Sequence, residues 1–130
     1  MLSGYFRNSC PYTTITVVGS TGSKEVEAII DTGFNGFLTL PQDIADSIGM
    51  EYTKAVSSSI VADGSTSPSL IYKGKMIYDS SRVDLLIDVQ KHCKILLGTA
   101  LLEELKLSLY IDVVAQRVIF DRTGWIVRNM

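Results

Sequence analysis

The sequence predicts a mainly β fold in a single domain spanning residues 1–130. Short apolar and β-branched segments alternate with turns rich in Gly, Ser, Asn and Asp, and only two segments have helical spacing. The chain is also long enough to bury one hydrophobic core without help from metals or disulfides.

The first elements predicted are two paired strands followed by a short apolar segment. Residues 13–18 are rich in Thr, Ile and Val, and a turn of Gly and Ser separates them from a second extended segment at residues 24–30. Residues 37–40 form the short apolar segment, which is typical of a buried strand.

A helix and a second hairpin are predicted next. Pro41 at the first helical turn and Gly49 just past the end indicate a helix over residues 42–48. Residues 51–61 and 70–78 are again extended, and the Asp-Gly pair between them favours a tight hairpin turn.

The last third of the chain predicts a second helix among further strands. Residues 99–106 place three leucines on one face, with Thr99 as the expected N-cap. The other extended segments predicted here are residues 82–89, 95–97, 107–114 and 117–121.

Composition and charge exclude several classes of function. The net charge is −2, from 12 basic and 14 acidic residues, so no basic surface for nucleic acid is expected. No apolar segment approaches the roughly 20 residues that span a bilayer, and no apolar leader stands at the start, so neither a membrane partner nor secretion is expected. A cytoplasmic location is the default expectation.

The cysteines and the single histidine restrict the chemistry further. Cys10 and Cys93 lie far apart and form no Cys-x-x-Cys motif, so we expect reduced thiols rather than a zinc or redox site. One histidine, His92, cannot form a histidine-pair metal site, and its neighbour Cys93 would point to the other face of an extended segment.

The residues that carry chemistry are Asp31-Thr32-Gly33, at the end of the apolar segment Ile29-Ile30. A carboxylate, a small hydroxyl and a glycine at a strand end place the acid at a sharp turn that other backbone can approach. Taken alone, the tripeptide is weak evidence, because an Asp that caps its own turn has the same pattern.

In its wider context the sequence resembles the retropepsin-like aspartic proteases of clan AA, over roughly residues 13 to 121. The motifs follow the family's order: Ile29-Ile30-Asp31-Thr32-Gly33, the turn Ala62-Asp63-Gly64-Ser65, and Leu96-Leu97-Gly98 before a helix. The string from Asp31 to Pro41 is similar to the cellular branch found in bacteria and archaea. The resemblance implies a single-lobe closed β-barrel with one or two short helices and an active site at a homodimer interface.

The implied activity is that of an aspartic-type endopeptidase, a hydrolase that cleaves peptide or protein substrates. Two carboxylates share a proton, and the ionised one activates a water for attack on the peptide carbonyl. The chain contains one Asp-Thr-Gly, so the resemblance implies a homodimer with one Asp31 from each subunit. No metal and no organic cofactor is required.

The resemblance also implies roles for the neighbouring residues. Thr32 would hydrogen-bond across the dimer axis, Gly33 would admit the substrate backbone, and Phe34 would narrow the pocket beside the catalytic turn. Gly98 would let its strand pass close behind Asp31, as structural or as catalytic support. The flap that closes over the substrate would be formed by Ala62, Asp63, Gly64 and Ser65.

The sequence departs from the viral pattern at the dimer contacts. Phe34, Asn35 and Thr99 stand where viral members have Ala, an acidic residue and Arg, so both partners of a viral ion pair are missing. Residues 1–12 and 123–130 could interleave between subunits as viral chain ends do, or the ends could fray while Trp125 folds back onto its own core.

Two other classes of function stay open at this stage. A catalytically silent peptide-binding module would keep the fold, the groove and the flap without cleavage. A structural or regulatory domain would use Asp-Thr-Gly only as a turn. Asp112, the acid between Ile111 and Val113, lacks a following Thr-Gly and is expected to be a polar residue on a strand.

Overall fold

The computed structural model describes residues 2–60 and 66–122, apart from the side chains of residues 58–60, 66 and 67. Within these ranges the strands are β1 (Gly4–Arg7), β2 (Cys10–Val18), β3 (Ser23–Ile30), β4 (Leu38–Pro41), β5 (Glu51–Ile60), β6 (Thr66–Tyr78), β7 (Ser81–Gln90), β8 (Leu96–Leu97), β9 (Ser108–Asp112) and β10 (Arg117–Asp121). The helices are α1 (Gln42–Ser47) and α2 (Thr99–Glu104).

Eight of these strands form one sheet, in the order β1-β2-β3-β8-β4-β7-β6-β5. β2 pairs with β6 as well, so the strands from β2 to β6 in that order form a ring of hydrogen-bonded neighbours. β9 and β10 form a separate hairpin that packs against β1. The mainly β fold with two short helices is therefore confirmed, and the ring agrees with the barrel expected from the sequence.

β8 is only two residues long but lies between the two strands that flank Asp31. Leu97 pairs with Ile30 of β3 in parallel and with Leu38 of β4 in antiparallel orientation. The chain leaves β3, forms a loop over residues 31–37 and returns in β4 on the other side of β8. Both ends of this loop are thus fixed to the same short strand.

The hydrophobic core lies on one face of the sheet and follows its register. One row of paired residues crosses five strands, and each member is at most 5% exposed. The row consists of Ile30, Leu97, Leu38, Ile87 and Tyr72. Because side chains alternate along each strand, the residues one step away from this row lie on the opposite, outer face.

Leu38 at the centre of this row is expected to be a major source of stability. Leu38→Ala should lower the free energy of unfolding by about 3 kcal/mol, because it removes a fully buried side chain and leaves a cavity. Equilibrium urea unfolding measures the loss. Leu86→Ala on the outer face, where the side chain is half exposed, is the control and should change stability far less. Equal losses in the two variants would contradict this description of the core.

Both helices differ from the sequence predictions at their ends. Pro41 is the N-cap of α1 and still belongs to β4, so it stands just before the helix, whereas Gly49 ends this region in the left-handed conformation as predicted, with φ +75°. The prediction that Thr99 caps the second helix was wrong. Gly98 is the N-cap, and the Thr99 backbone N–H donates to the Phe34 carbonyl instead.

The second helix is also shorter than predicted, ending at Glu104 rather than at residue 106. Lys106 adopts a left-handed conformation with φ +57°, which interrupts the helical path. The backbone N–H of Leu107 then donates to the carbonyl of Leu102, closing the helix end.

The first strand, β1, was not predicted as an element. It pairs with residues 10–13 of its own chain, so β2 begins at Cys10 rather than at residue 13. Tyr5 stacks on Tyr12 at 6.0 Å between ring centroids, and both Tyr5 and Arg7 bind the Glu27 carboxylate on β3. Residues 4–7 thus form an edge strand of the chain's own sheet. Residues 123–130, including Trp125, lie outside the described residues.

The other strands lie close to their predicted positions, although β6 begins earlier, at Thr66, and β9 ends at Asp112 rather than at residue 114. Residues 113–116 form the turn instead, where the Ala115 N–H donates to Asp112 Oδ1. Cys10 and Cys93 are free thiols. None of the helices in the described part of the chain has the length and apolar character needed to cross a bilayer.

Candidate functional site

Asp31 lies directly after β3, in a turn that orients its carboxylate. Its backbone N–H donates to the Leu97 carbonyl at 3.0 Å, which extends the pairing of β3 with β8 by one residue. The Gly33 N–H donates to Asp31 Oδ1 at 2.9 Å, and the Phe34 N–H donates to the Asp31 carbonyl at 3.1 Å. The carboxylate is therefore held by its own turn, which β8 anchors through the backbone, and no described basic side chain forms an ion pair with it.

The loop that follows Asp31 is half open to solvent. Asp31 is half-buried, and Thr32 and Gly33 are exposed. A Cβ atom on Gly33 would lie 3.2 Å from Asp31 Oδ1, closer than ordinary contact. The glycine therefore keeps the approach to the carboxylate clear, and the three residues present an accessible surface.

Gly98 supports the far side of the same loop. Its backbone N–H donates to the Phe37 carbonyl at 3.0 Å, and the next residue, Thr99, donates to the Phe34 carbonyl at 2.9 Å. An added Cβ would lie 2.2 Å from the carbonyl oxygen of Gly36, so only glycine fits between the loop and the start of α2. The structure thus brings Gly98 and the Asp31 loop together.

The Phe34 ring folds back onto its own loop. Positions for a Cβ on Gly36 and on Gly98 lie 2.5 and 2.7 Å from atoms of this ring, so it covers both glycines. The side chain is half-buried. Part of the ring is therefore used in packing within the loop. The contact of Phe34 with substrate stays a prediction.

The predicted flap residues Ala62, Asp63, Gly64 and Ser65 lie outside the described residues. The two arms of their hairpin are described, and β5 and β6 pair in antiparallel orientation as far as Ile60 and Thr66. The last pair between β6 and β7 joins Leu70 to Val89, so residues 66–69 pair with β5 alone. The described arms of the hairpin therefore extend beyond β7, as far as Ile60 and Thr66.

Two residues on the outer face of the sheet, Thr39 and Asp88, were missed by sequence reasoning. The Thr39 hydroxyl on β4 donates to the Lys94 carbonyl at 2.7 Å and accepts the Leu96 N–H at 2.8 Å. Asp88 on β7 stands beside Thr39 in the register. The one sequence signal for Asp88 is a charged residue inside the apolar segment 85–89; for Thr39 there was none.

Thr39 ties the segment before β8 to β4, so its hydroxyl is expected to stabilise this part of the sheet. Thr39→Val keeps the shape but leaves the Lys94 carbonyl and the Leu96 N–H without this partner, and should cost about 2 kcal/mol of unfolding free energy. Thr39→Ser retains the hydroxyl and should restore most of that loss. Urea unfolding of both variants measures this, and equal stabilities would contradict the role of the hydroxyl.

Asp112, the last residue of β9, has a different setting from Asp31. Its Oδ1 accepts the Ala115 N–H at 2.9 Å in the turn between β9 and β10. It is thus a polar residue at the end of a strand, as expected from the sequence, and its side chain stabilises the turn of the separate hairpin. Within the described residues, no three His, Cys, Asp or Glu side chains are close enough to hold a metal ion.

No protein-family model matches the sequence, and no curated protein matches it either. Similar solved structures do exist. The EIAV protease in complex with the inhibitor HBY-793 matches with a TM-score of 0.62 and 13% identity, covering 82% of this chain and 98% of that one. A retropepsin-like aspartic protease from Rickettsia conorii matches with a TM-score of 0.57 and 17% identity, covering 92% of this chain and 88% of that one. The chain therefore has the retropepsin-like fold.

Proposed function

We propose that the protein is an aspartic endopeptidase that works as a homodimer. The observation that carries the proposal is the place of Asp31: the Asp-Thr-Gly turn follows β3, is fixed by β8 and Gly98, and lies in a retropepsin-like fold. Both similar structures are proteases by name, which supports hydrolysis of peptide bonds as the chemistry.

In the proposed mechanism, two Asp31 carboxylates face each other across the dimer axis and share one proton. The ionised carboxylate takes a proton from a water molecule as its oxygen attacks the peptide carbonyl. The protonated carboxylate donates its proton to the developing oxyanion, and a proton then passes to the leaving nitrogen. The Gly33 N–H, which binds Asp31 Oδ1, keeps each carboxylate oriented for this exchange.

A second chain is needed because one subunit supplies one such aspartate. The accessible surface of Thr32 and Gly33 supports this pairing, since the turn must meet its symmetry mate. Thr32 would hold the two turns together across the axis. The missing viral ion pair at Asn35 and Thr99 means that other contacts must stabilise the dimer.

The hairpin of β5 and β6 is the proposed flap. Its arms pair with each other, with one irregularity between Tyr52 and Ala55, and their described parts extend beyond β7, which supports a lid attached at its base. Backbone groups of residues 62–65 would then bind an extended peptide from above.

The test is cleavage of a peptide library, analysed by mass spectrometry at several pH values and two protein concentrations. Wild type and Asp31→Ala are compared, with folding checked by circular dichroism and mass by light scattering. We expect cleavage by wild type alone, with a rate per chain that increases with concentration as dimers form.

Absence of cleavage by folded, dimeric protein at every pH would contradict the proposal. If such protein still bound peptides, the catalytically silent peptide-binding module would replace it. A protein that neither cleaves nor binds would leave Asp-Thr-Gly as a structural turn.

A further inference from the structure

A row of half-buried side chains crosses the outer face of the sheet beside Asp31. We call it the outer row; its members are Ile29, Leu96, Thr39, Asp88 and Ile71. Asp31 comes two residues after Ile29 and so lies on the same face, because side chains alternate along a strand. The outer row is therefore a partly apolar floor that begins next to the candidate catalytic turn.

Asp88 is the one ionisable side chain in this row. It accepts no hydrogen bond and forms no ion pair within the described part of the chain. Burial raises the pKa of its carboxyl above the ordinary value, and no neighbouring cation offsets that cost. The hydroxyl beside it in the row, on Thr39, is already engaged by backbone groups.

The basic residues of β6, Lys73 and Lys75, form no ion pair with the Asp88 carboxylate. Lys73 pairs in register with Leu86, two positions along β7 from Asp88, and it also stands opposite Glu51 of β5. Lys75 forms an ion pair with Asp84. A half-buried carboxylate without a cation is costly for a fold to keep, and it is ready to bind a cation from elsewhere.

The distance between Ile29 and Asp88 is short enough for one bound peptide to span. β3 and β7 are three strand spacings apart, so Asp88 lies about 14 Å from Ile29 along the outer row. An extended peptide covers that length in about four residues. A peptide that runs from Asp31 along the outer row can therefore bring a side chain to the Asp88 carboxylate.

We infer that Asp88 is a specificity-determining residue that selects substrates with Lys or Arg within about four residues of the scissile bond. This inference rests on the proposed function, since it names the substrate class of that site. The basic side chain would supply the missing counter-charge, while Ile71, which pairs with Asp88 in the register, packs against its aliphatic stem.

The experiment compares which peptides of the library are cleaved by wild type, Asp88→Asn and Asp84→Asn. Asp84 is the matched control, because it lies on the same strand and face but is exposed and paired with Lys75. Peptide pairs that differ only as Arg and citrulline at the selected position are then compared. We expect wild type and Asp84→Asn to prefer Arg by about tenfold or more in kcat/KM, and Asp88→Asn to lose the preference.

A peptide-binding experiment distinguishes failure of this inference from failure of the proposed function. Immobilised Asp31→Asn protein is used to select from the same library, and its affinity for the Arg and citrulline peptides is measured by fluorescence anisotropy with and without Asp88→Asn. Cleavage without an Asp88-dependent preference would overturn the inference and leave the peptidase standing. Preferential binding of Arg that depends on Asp88, with no cleavage by wild type, would support Asp88 as the site that binds the basic side chain and would overturn the peptidase. Neither cleavage nor selective binding would overturn both.

Discussion

Replacing Asp31 by asparagine is expected to reduce peptide cleavage by at least about 10³-fold while the fold is retained. An amide cannot take the proton from the attacking water, so the proposed chemistry stops. Asparagine Oδ1 still accepts the Gly33 N–H, so the turn should keep its shape. Steady-state cleavage of the best library peptide, with urea unfolding alongside, measures both effects.

The same variant tests whether two chains share one site. When wild type is mixed with an about tenfold excess of Asp31→Asn, random pairing leaves about a tenth of the wild-type chains with a wild-type partner. Activity per wild-type chain should fall accordingly. Asp112→Asn is the control, because its carboxylate also accepts a backbone N–H in a turn but takes no part in the proposed site. Undiminished activity in the Asp31→Asn mixture would show that a single chain is sufficient.

Replacing Gly98 by alanine is expected to cost about 3 kcal/mol of unfolding free energy and most of the cleavage activity. The backbone conformation of Gly98, φ −100° and ψ 174°, suits any residue, so strain in the backbone plays no part. The cost arises from contact, since the new Cβ would lie 2.2 Å from the Gly36 carbonyl oxygen and 2.7 Å from that of Phe34. Either β8 or the Asp31 loop must then move.

The matched control is Gly22→Ala, in the turn between β2 and β3. There the nearest atom to an added Cβ, Ile48 Cγ2, is 4.0 Å away, so alanine fits without displacement. Urea unfolding and peptide cleavage are measured for both variants. A Gly98→Ala protein as stable and as active as Gly22→Ala would show that this close approach does not matter.

Most strands and the candidate turn could be predicted from the sequence because each has a local signal. Alternating apolar residues identify β2, β3 and β7, and Gly49 marks the end of α1. β1 was missed because its turn lacks glycine. Asn8 and Ser9 both have positive φ, 52° and 61°, as a tight hairpin turn requires, and an Asn-Ser pair is a weaker signal for it than Asn-Gly.

The tertiary part of the site could not be predicted in the same way. The two residues of β8 carry no periodicity, so their place behind Asp31 was expected only from the family resemblance, and their pairing with both β3 and β4 had no signal in the sequence. The partners of the Thr39 hydroxyl are 55 and 57 residues away in sequence. Asp88 lies on the same face as Asp31 only through the register of strands that are not neighbours along the chain.

The position of β8 also determines when the site can form during synthesis. Phe34 and its partner Thr99 are 65 residues apart, which a ribosome adds in about 3 to 13 s. Until then β3 and β4 have no strand between them, and the turn at Asp31 has no support from Leu97 or Gly98. Contacts so distant in sequence also form slowly in refolding. The strand that supports the Asp31 turn is therefore the last part of the eight-stranded sheet to form.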